Sequence, residues 1–110
     1  MKTEQRKAAI TAYKEREVVT GIYRVRCEAT GETWVGRAPD LSTVWNRLCF
    51  TLAQGAHPQP SIQAAWRAHG RESFTFEPVE AIEEEVANIR DRLMKERLQH
   101  WQSMFGAQII

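Results

Sequence analysis

The stretch VVTGIYRVRCEATGETWVGR, residues 18–37, decides the fold. Its first half, Val18 to Cys27, carries Val18, Ile22, Val25 and Cys27, residues that suit extended backbone. Arg24 and Arg26 alternate with Val25 and Cys27, which is the period of a strand, so the two arginines are expected to project together. Glu28-Ala29-Thr30-Gly31-Glu32 forms a turn, with Gly31 suited to a positive φ. Thr33 to Arg37 then returns as a second strand. The stretch reads as a β-hairpin.

Downstream, Pro39-Asp40 opens a helix with Asp40 as its N-cap and an apolar stripe of Leu41, Val44, Trp45, Leu48 and Leu52. Gly55 ends it, and residues 55–60 form a rigid loop. Ser61 is expected to cap a short second helix, Ile62 to His69, closed by Gly70. Phe74 to Glu77 alternates as a third strand. A long last helix is expected over Ile82 to Met104. Its stripe of Met94, Leu98, Trp101 and Phe105 turns Leu98 inward, and Glu83-Glu84-Glu85 sits at its N-terminus, where the helix dipole favours negative charge. Upstream, residues 2–17 read as an amphipathic helix with Ala9, Ile10 and Tyr13 on one side. Three strands cannot bury both faces alone. The expected architecture is a small α/β fold, a three-stranded sheet covered by helices, with an N-terminal helical extension over 1–17 and the domain proper over 18–110.

Composition narrows the function classes. The 110 residues suffice for one domain. With 15 Lys+Arg against 14 Asp+Glu the formal net charge is +1, which excludes a strongly basic nucleic-acid coat, so any nucleic-acid binding must come from a local patch. No apolar run reaches the roughly 18 to 20 residues of a membrane span. The N-terminus lacks the apolar centre of a secretory signal, so the expected compartment is the cytoplasm. Cys27 and Cys49 make no metal-binding spacing and read as small buried hydrophobes rather than a disulfide. Trp45, Trp66 and Trp101 fall at helical spacing as core anchors, and His69 and His100 read as structural or solvated.

Several local motifs share one pattern. Gly21-Ile22-Tyr23 is followed, after the intervening residues 24–33, by Trp34-Val35-Gly36. Then come Asp40-Leu41, Trp45, Arg47, Gly55 and His57, Gln63-Ala64-Ala65-Trp66, His69-Gly70, Phe74 to Glu77, and Trp101. In order and spacing the chain resembles the GIY-YIG endonuclease family over residues 18–105. The resemblance implies phosphodiester hydrolysis in DNA or RNA with one divalent metal, Mg or Mn. In such a site the motif tyrosines help activate water, a helix arginine offsets phosphate charge, and a later glutamate holds the metal. An anionic diester repels its nucleophile, so a cation must screen it, and magnesium takes hard oxygen ligands.

This chain departs from that pattern at the slots that carry the chemistry. Tyr23 matches the first motif tyrosine. The second is Trp34, whose indole donates but cannot accept or relay a proton. The arginine slot, eight residues after Gly36, holds Val44, and the histidine slot four residues on holds Leu48. Arg47 is the nearest guanidinium, offset from Val44 by ~60° and about one turn. The glutamate slot, three residues before Trp101, holds Leu98, while Glu96 lies ~200° round the helix from it. A phosphate-stabilising arginine can be worth ~10³ to 10⁵ in rate, so such losses matter.

Three readings follow. The favoured one is a degenerate domain, non-cleaving or weakly cleaving and without a cofactor, that binds nucleic acid through Arg24, Arg26, Arg37 and Arg47 if these share a face. The second is an active Mg- or Mn-dependent endonuclease with a rearranged site, in which Arg47 acts on the phosphate, Glu96 holds the metal, Tyr23 and His57 assist proton transfer, and Trp34 fills the aromatic slot. The third is a protein or small-ligand binding module that reuses a cleft made apolar by Trp34, Val44, Leu48 and Leu98.

Overall fold

The structure, a computed structural model, describes residues 18–110. The helix expected over residues 2–17 lies outside the described residues. The hairpin forms as read. Strand β1 (Gly21–Cys27) pairs antiparallel with β2 (Thr33–Ala38), with Tyr23 opposite Gly36 and Val25 opposite Trp34. Gly31 takes the expected positive φ, 81°. Helices α1 (Val44–Ala53) and α2 (Pro60–His69) follow, then a short 3₁₀ turn, strand β3 (Phe74–Ala81), helix α3 (Ala87–Phe105) and strand β4 (Gln108–Ile109).

The sheet has four strands, not three, in the order β3-β1-β2-β4. The additional strand is the two-residue β4, which pairs parallel with β2 through Trp34↔Gln108 and Val35↔Ile109. Two residues show no strand periodicity, so only the approach of the chain end to β2 creates it. Strand β3 runs to Ala81 rather than stopping before Pro78. Proline is tolerated because β3 is an edge strand and Pro78 sits opposite Tyr23, where the pairing with β1 shifts register. The last helix accordingly begins at Ala87, five residues later than the sequence pattern indicates. Ile82 is buried and donates its N–H to the Thr20 carbonyl, which keeps this segment extended along the sheet. Glu83-Glu84-Glu85 therefore precedes the helix, and Glu84 accepts the Val86 N–H.

Two further helix starts differ. Asp40 does not cap α1; its carboxylate accepts the N–H and the hydroxyl of Ser42 at 3.0 and 2.7 Å in a turn before the helix. Helix α2 starts at Pro60, with Gln59 rather than Ser61 at the N-cap. Proline suits that first position because its missing N–H would have no helical partner there.

Strand alternation sorts the core onto two faces. On one, Tyr23, Val25, Cys27, Trp34 and Ala38 pack under Leu41, Val44, Leu48, Leu52, Ile62 and Ala65 of the α1–α2 layer. On the other, Ile22 and Val35 pack under Ile82, Met94, Leu98 and Ala107. Gly21 is required by the closeness of β3, because a Cβ there would collide with the Glu80 carbonyl. Cys27 and Cys49 are both free and buried. Among the described residues, no helix is long and apolar enough to cross a membrane.

Candidate functional site

The hairpin places Tyr23 and Trp34 on the α1–α2 face, both enclosed. Tyr23 is 3% exposed, and its hydroxyl has no hydrogen-bond partner among the described residues. That hydroxyl lies over Gly36, where a Cβ would collide with it and with Ile110. Burial pushes the Tyr23 pKa up to about 12, against a smaller opposing pull from Arg47. The phenol therefore stays protonated at neutral pH, able to donate a hydrogen bond but not to act as a base.

Trp34 is fully buried and stacks with Phe74, their ring centroids 6.1 Å apart. Its indole N–H donates to Ser61 Oγ at 2.8 Å, and Ser61 Oγ donates to Gln108 Oε1 at 2.8 Å. The start of α2 at Pro60 leaves the Ser61 side chain available for this relay. Gln59 completes the tie between the loop and β4 by donating from Nε2 to the Ile109 carbonyl at 2.8 Å. The sequence reading missed Ser61 and Gln108. Their only signal was polarity, because the contact depends on β4.

His57 is bonded to the backbone. Its Nδ1 accepts the Gln59 N–H at 3.0 Å, and its own N–H donates to Gln63 Oε1 at 3.0 Å. Burial lowers its pKa from the ordinary histidine value. The ring is thus neutral at pH 7 with Nε2 left to carry its proton.

The arginines do not gather on one face. Arg24 and Arg26 do project together, but onto the α3 side, opposite Tyr23. Arg24 is 2.8 Å from Glu77 and lies 4.7 Å over the Phe105 ring, and Arg26 is 3.2 Å from Glu28. Arg47 is exposed on α1, on the Tyr23 side, near enough to bear on the phenol. Arg37 is exposed on β2. Neither Arg37 nor Arg47 has a salt-bridge partner among the described residues.

Val44 and Leu48 are buried under the sheet as the apolar stripe of α1 predicts. Leu98 is buried against Ile22, Val35 and Met94, and Glu96 is exposed. Among the described residues, the side chains at this site do not fit a magnesium or manganese ion. The inward slot on α3 is a leucine, which offers no oxygen. Glu80, a half-buried carboxylate on this face, is occupied: Arg97 Nε and Trp101 Nε1 both donate to its Oε1, at 2.7 and 2.8 Å. Among the described residues there is no group of three or more His, Cys, Asp or Glu able to hold a metal.

What remains at the open end of β2 is a cleft of about 460 Å³ beside Gly36 and Arg37, closed by Lys95, Leu98 and Gln99 of α3 and by Ile110. A second cleft of about 480 Å³ continues from it, sharing Arg37 and Lys95 and adding Arg90 and Asp91. Lys95 and Gln99 escaped the sequence reading, although they stand three residues before and one after Leu98.

Two solved structures share this architecture. One is a mutant form of the catalytic domain of the intron endonuclease I-TevI, with TM-score 0.70 and 26% identity, covering 80% of this chain and 84% of that one. The other is the catalytic domain of the homing endonuclease I-TevI, with TM-score 0.70 and 25% identity, covering 83% of this chain and 97% of that one. No family model matches the chain, and no curated protein sequence does.

Proposed function

From a chain whose fold is GIY-YIG-like, we propose a nucleic-acid-binding domain whose hydrolytic site is degenerate, so that it cleaves weakly or not at all. The observation that carries this reading is Leu98, inward and apolar where a metal-holding acid is expected, with Glu96 turned out to solvent. The rest of the site agrees. Tyr23 is sealed and protonated, Trp34 is spent on an internal hydrogen bond, and His57 is held neutral by the loop backbone. The nuclease-fold neighbours support a nucleic-acid partner, and the unpaired guanidinium groups of Arg37 and Arg47 supply positive charge for phosphate oxygens.

The second reading is an active Mg- or Mn-dependent endonuclease with a rearranged site using Arg47 and Glu96, although Glu96 is exposed. Its support is positional: Arg47 stands on α1, the helix that packs over the Tyr23 face of the sheet. A cleavage assay on supercoiled plasmid, single-stranded DNA and RNA, with Mg²⁺ or Mn²⁺, separates the two. The expected outcome is turnover indistinguishable from background, in wild type and in Tyr23→Phe alike. Robust cleavage that Tyr23→Phe abolishes would overturn the degenerate reading.

A further inference from the structure

The cleft beside Gly36 presents cations, with Leu98 where the family resemblance places a carboxylate. Lys95, Leu98 and Gln99 lie at i, i+3 and i+4 on α3, so they present one helix face. That face meets Arg37 across the cleft. Neither Lys95 nor Arg37 has a salt bridge or side-chain hydrogen bond among the described residues, and both also line the adjoining cleft. There Arg90 adds a third positive charge against the single carboxylate of Asp91.

We propose that Lys95 and Arg37 supply, from the protein itself, the neutralisation a divalent cation would give, so that this cleft holds a phosphodiester strand without metal. This rests on the nucleic-acid-binding reading above. Two unpaired side-chain cations with an amide beside them give a phosphate charge-assisted hydrogen bonds, and Leu98 and Ile109 add apolar surface to the same cleft. Such a site grips the strand and does not cleave it, because lysine and arginine do not ionise a bound water as a metal does.

The test is fluorescence anisotropy with a labelled 20-nucleotide single strand and the matching duplex, across a salt series, in EDTA and in Mg²⁺. Wild type is expected to bind at least as tightly in EDTA as in Mg²⁺. Lys95→Gln and Arg37→Gln are each expected to weaken binding by about tenfold at low salt and to lower the slope of log K against log salt by about one. Arg67→Gln, on α2 across the sheet, is the control and should leave both unchanged. Binding that requires Mg²⁺, or that survives both substitutions, overturns the metal-free cleft and leaves the nucleic-acid reading standing. No binding to either oligonucleotide at low salt overturns both.

Discussion

The two long sides of α3 carry similar charges and treat them in opposite ways. On the side facing β3, Arg97 is bound to Glu80, Trp101 donates to the same carboxylate, and Arg24 is held by Glu77 and lies over Phe105. On the side facing β2 and β4, Lys95 and Arg37 face a cleft with no ion partner among the described residues. The difference lies in the neighbouring strand. Strand β3 brings Glu80 to the helix and Glu77 to Arg24 beneath it, while β2 brings an arginine and β4 ends after two residues. The paired side is structural; the unpaired side is available to a ligand.

The sharpest way to break this contrast is Gly21→Ala. The new methyl would strike the Glu80 carbonyl, a backbone atom of the paired strand that cannot swing aside. We expect a loss of about 2–4 kcal/mol in urea unfolding, because the β1–β3 register that delivers Glu77 and Glu80 would have to give way. An alanine variant as stable as wild type would show that this close approach is not required.

Glu80→Gln should cost less, about 1–2 kcal/mol, by weakening the bonds from Arg97 and Trp101. It should also change the pH dependence. Burial alone would raise the Glu80 pKa, but the hydrogen bonds from Trp101 and Arg97, with the charges of Arg97 and His100, outweigh it and hold the carboxyl below its ordinary 4.5. The folded pKa is thus below the unfolded one. The stability it adds is present above about pH 4.5 and is lost as the pH falls through the lowered folded value. Unfolding curves between neutral pH and pH 3 should lose that share of their acid sensitivity in the variant, and an unchanged acid limb would contradict the pairing.

Lys95→Gln, two residues from Arg97 on the same helix, should shift stability by less than about 0.5 kcal/mol, because it removes no bond the structure contains. A loss as large as that of Glu80→Gln would mean that Lys95 is structural and would erase the contrast between the two sides.

Much of the fold was legible. The hairpin, the apolar stripe of α1, the end of α2 at Gly70 and the inward turn of Leu98 all follow local periodicity or turn chemistry. Two misplaced boundaries, the end of β3 and the start of α3, are set by partners remote in sequence, whereas the starts of α1 and α2 follow local bonds and Pro60. Pro78 reads as a strand breaker until β3 is known to lie at an edge. Glu83 to Glu85 read as a helix start until Ile82 is tied to Thr20. Of the candidate site, the burial of Trp34, Val44, Leu48 and Leu98 could be seen, but not which arginines stay unpaired. Arg24 and Arg37 look alike along the chain, yet Glu77 lies beside only one of them.

The sequence by itself determined the hairpin, the apolar stripe of α1 and the inward leucine at position 98, since these rest on residue identity and on periods of two and 3.6. Only the tertiary structure decided which charges are neutralised and where a cleft opens. An ion pair depends on distances across the sheet, and two residues of β4 suffice to close one end of β2 and leave the other open beside α3.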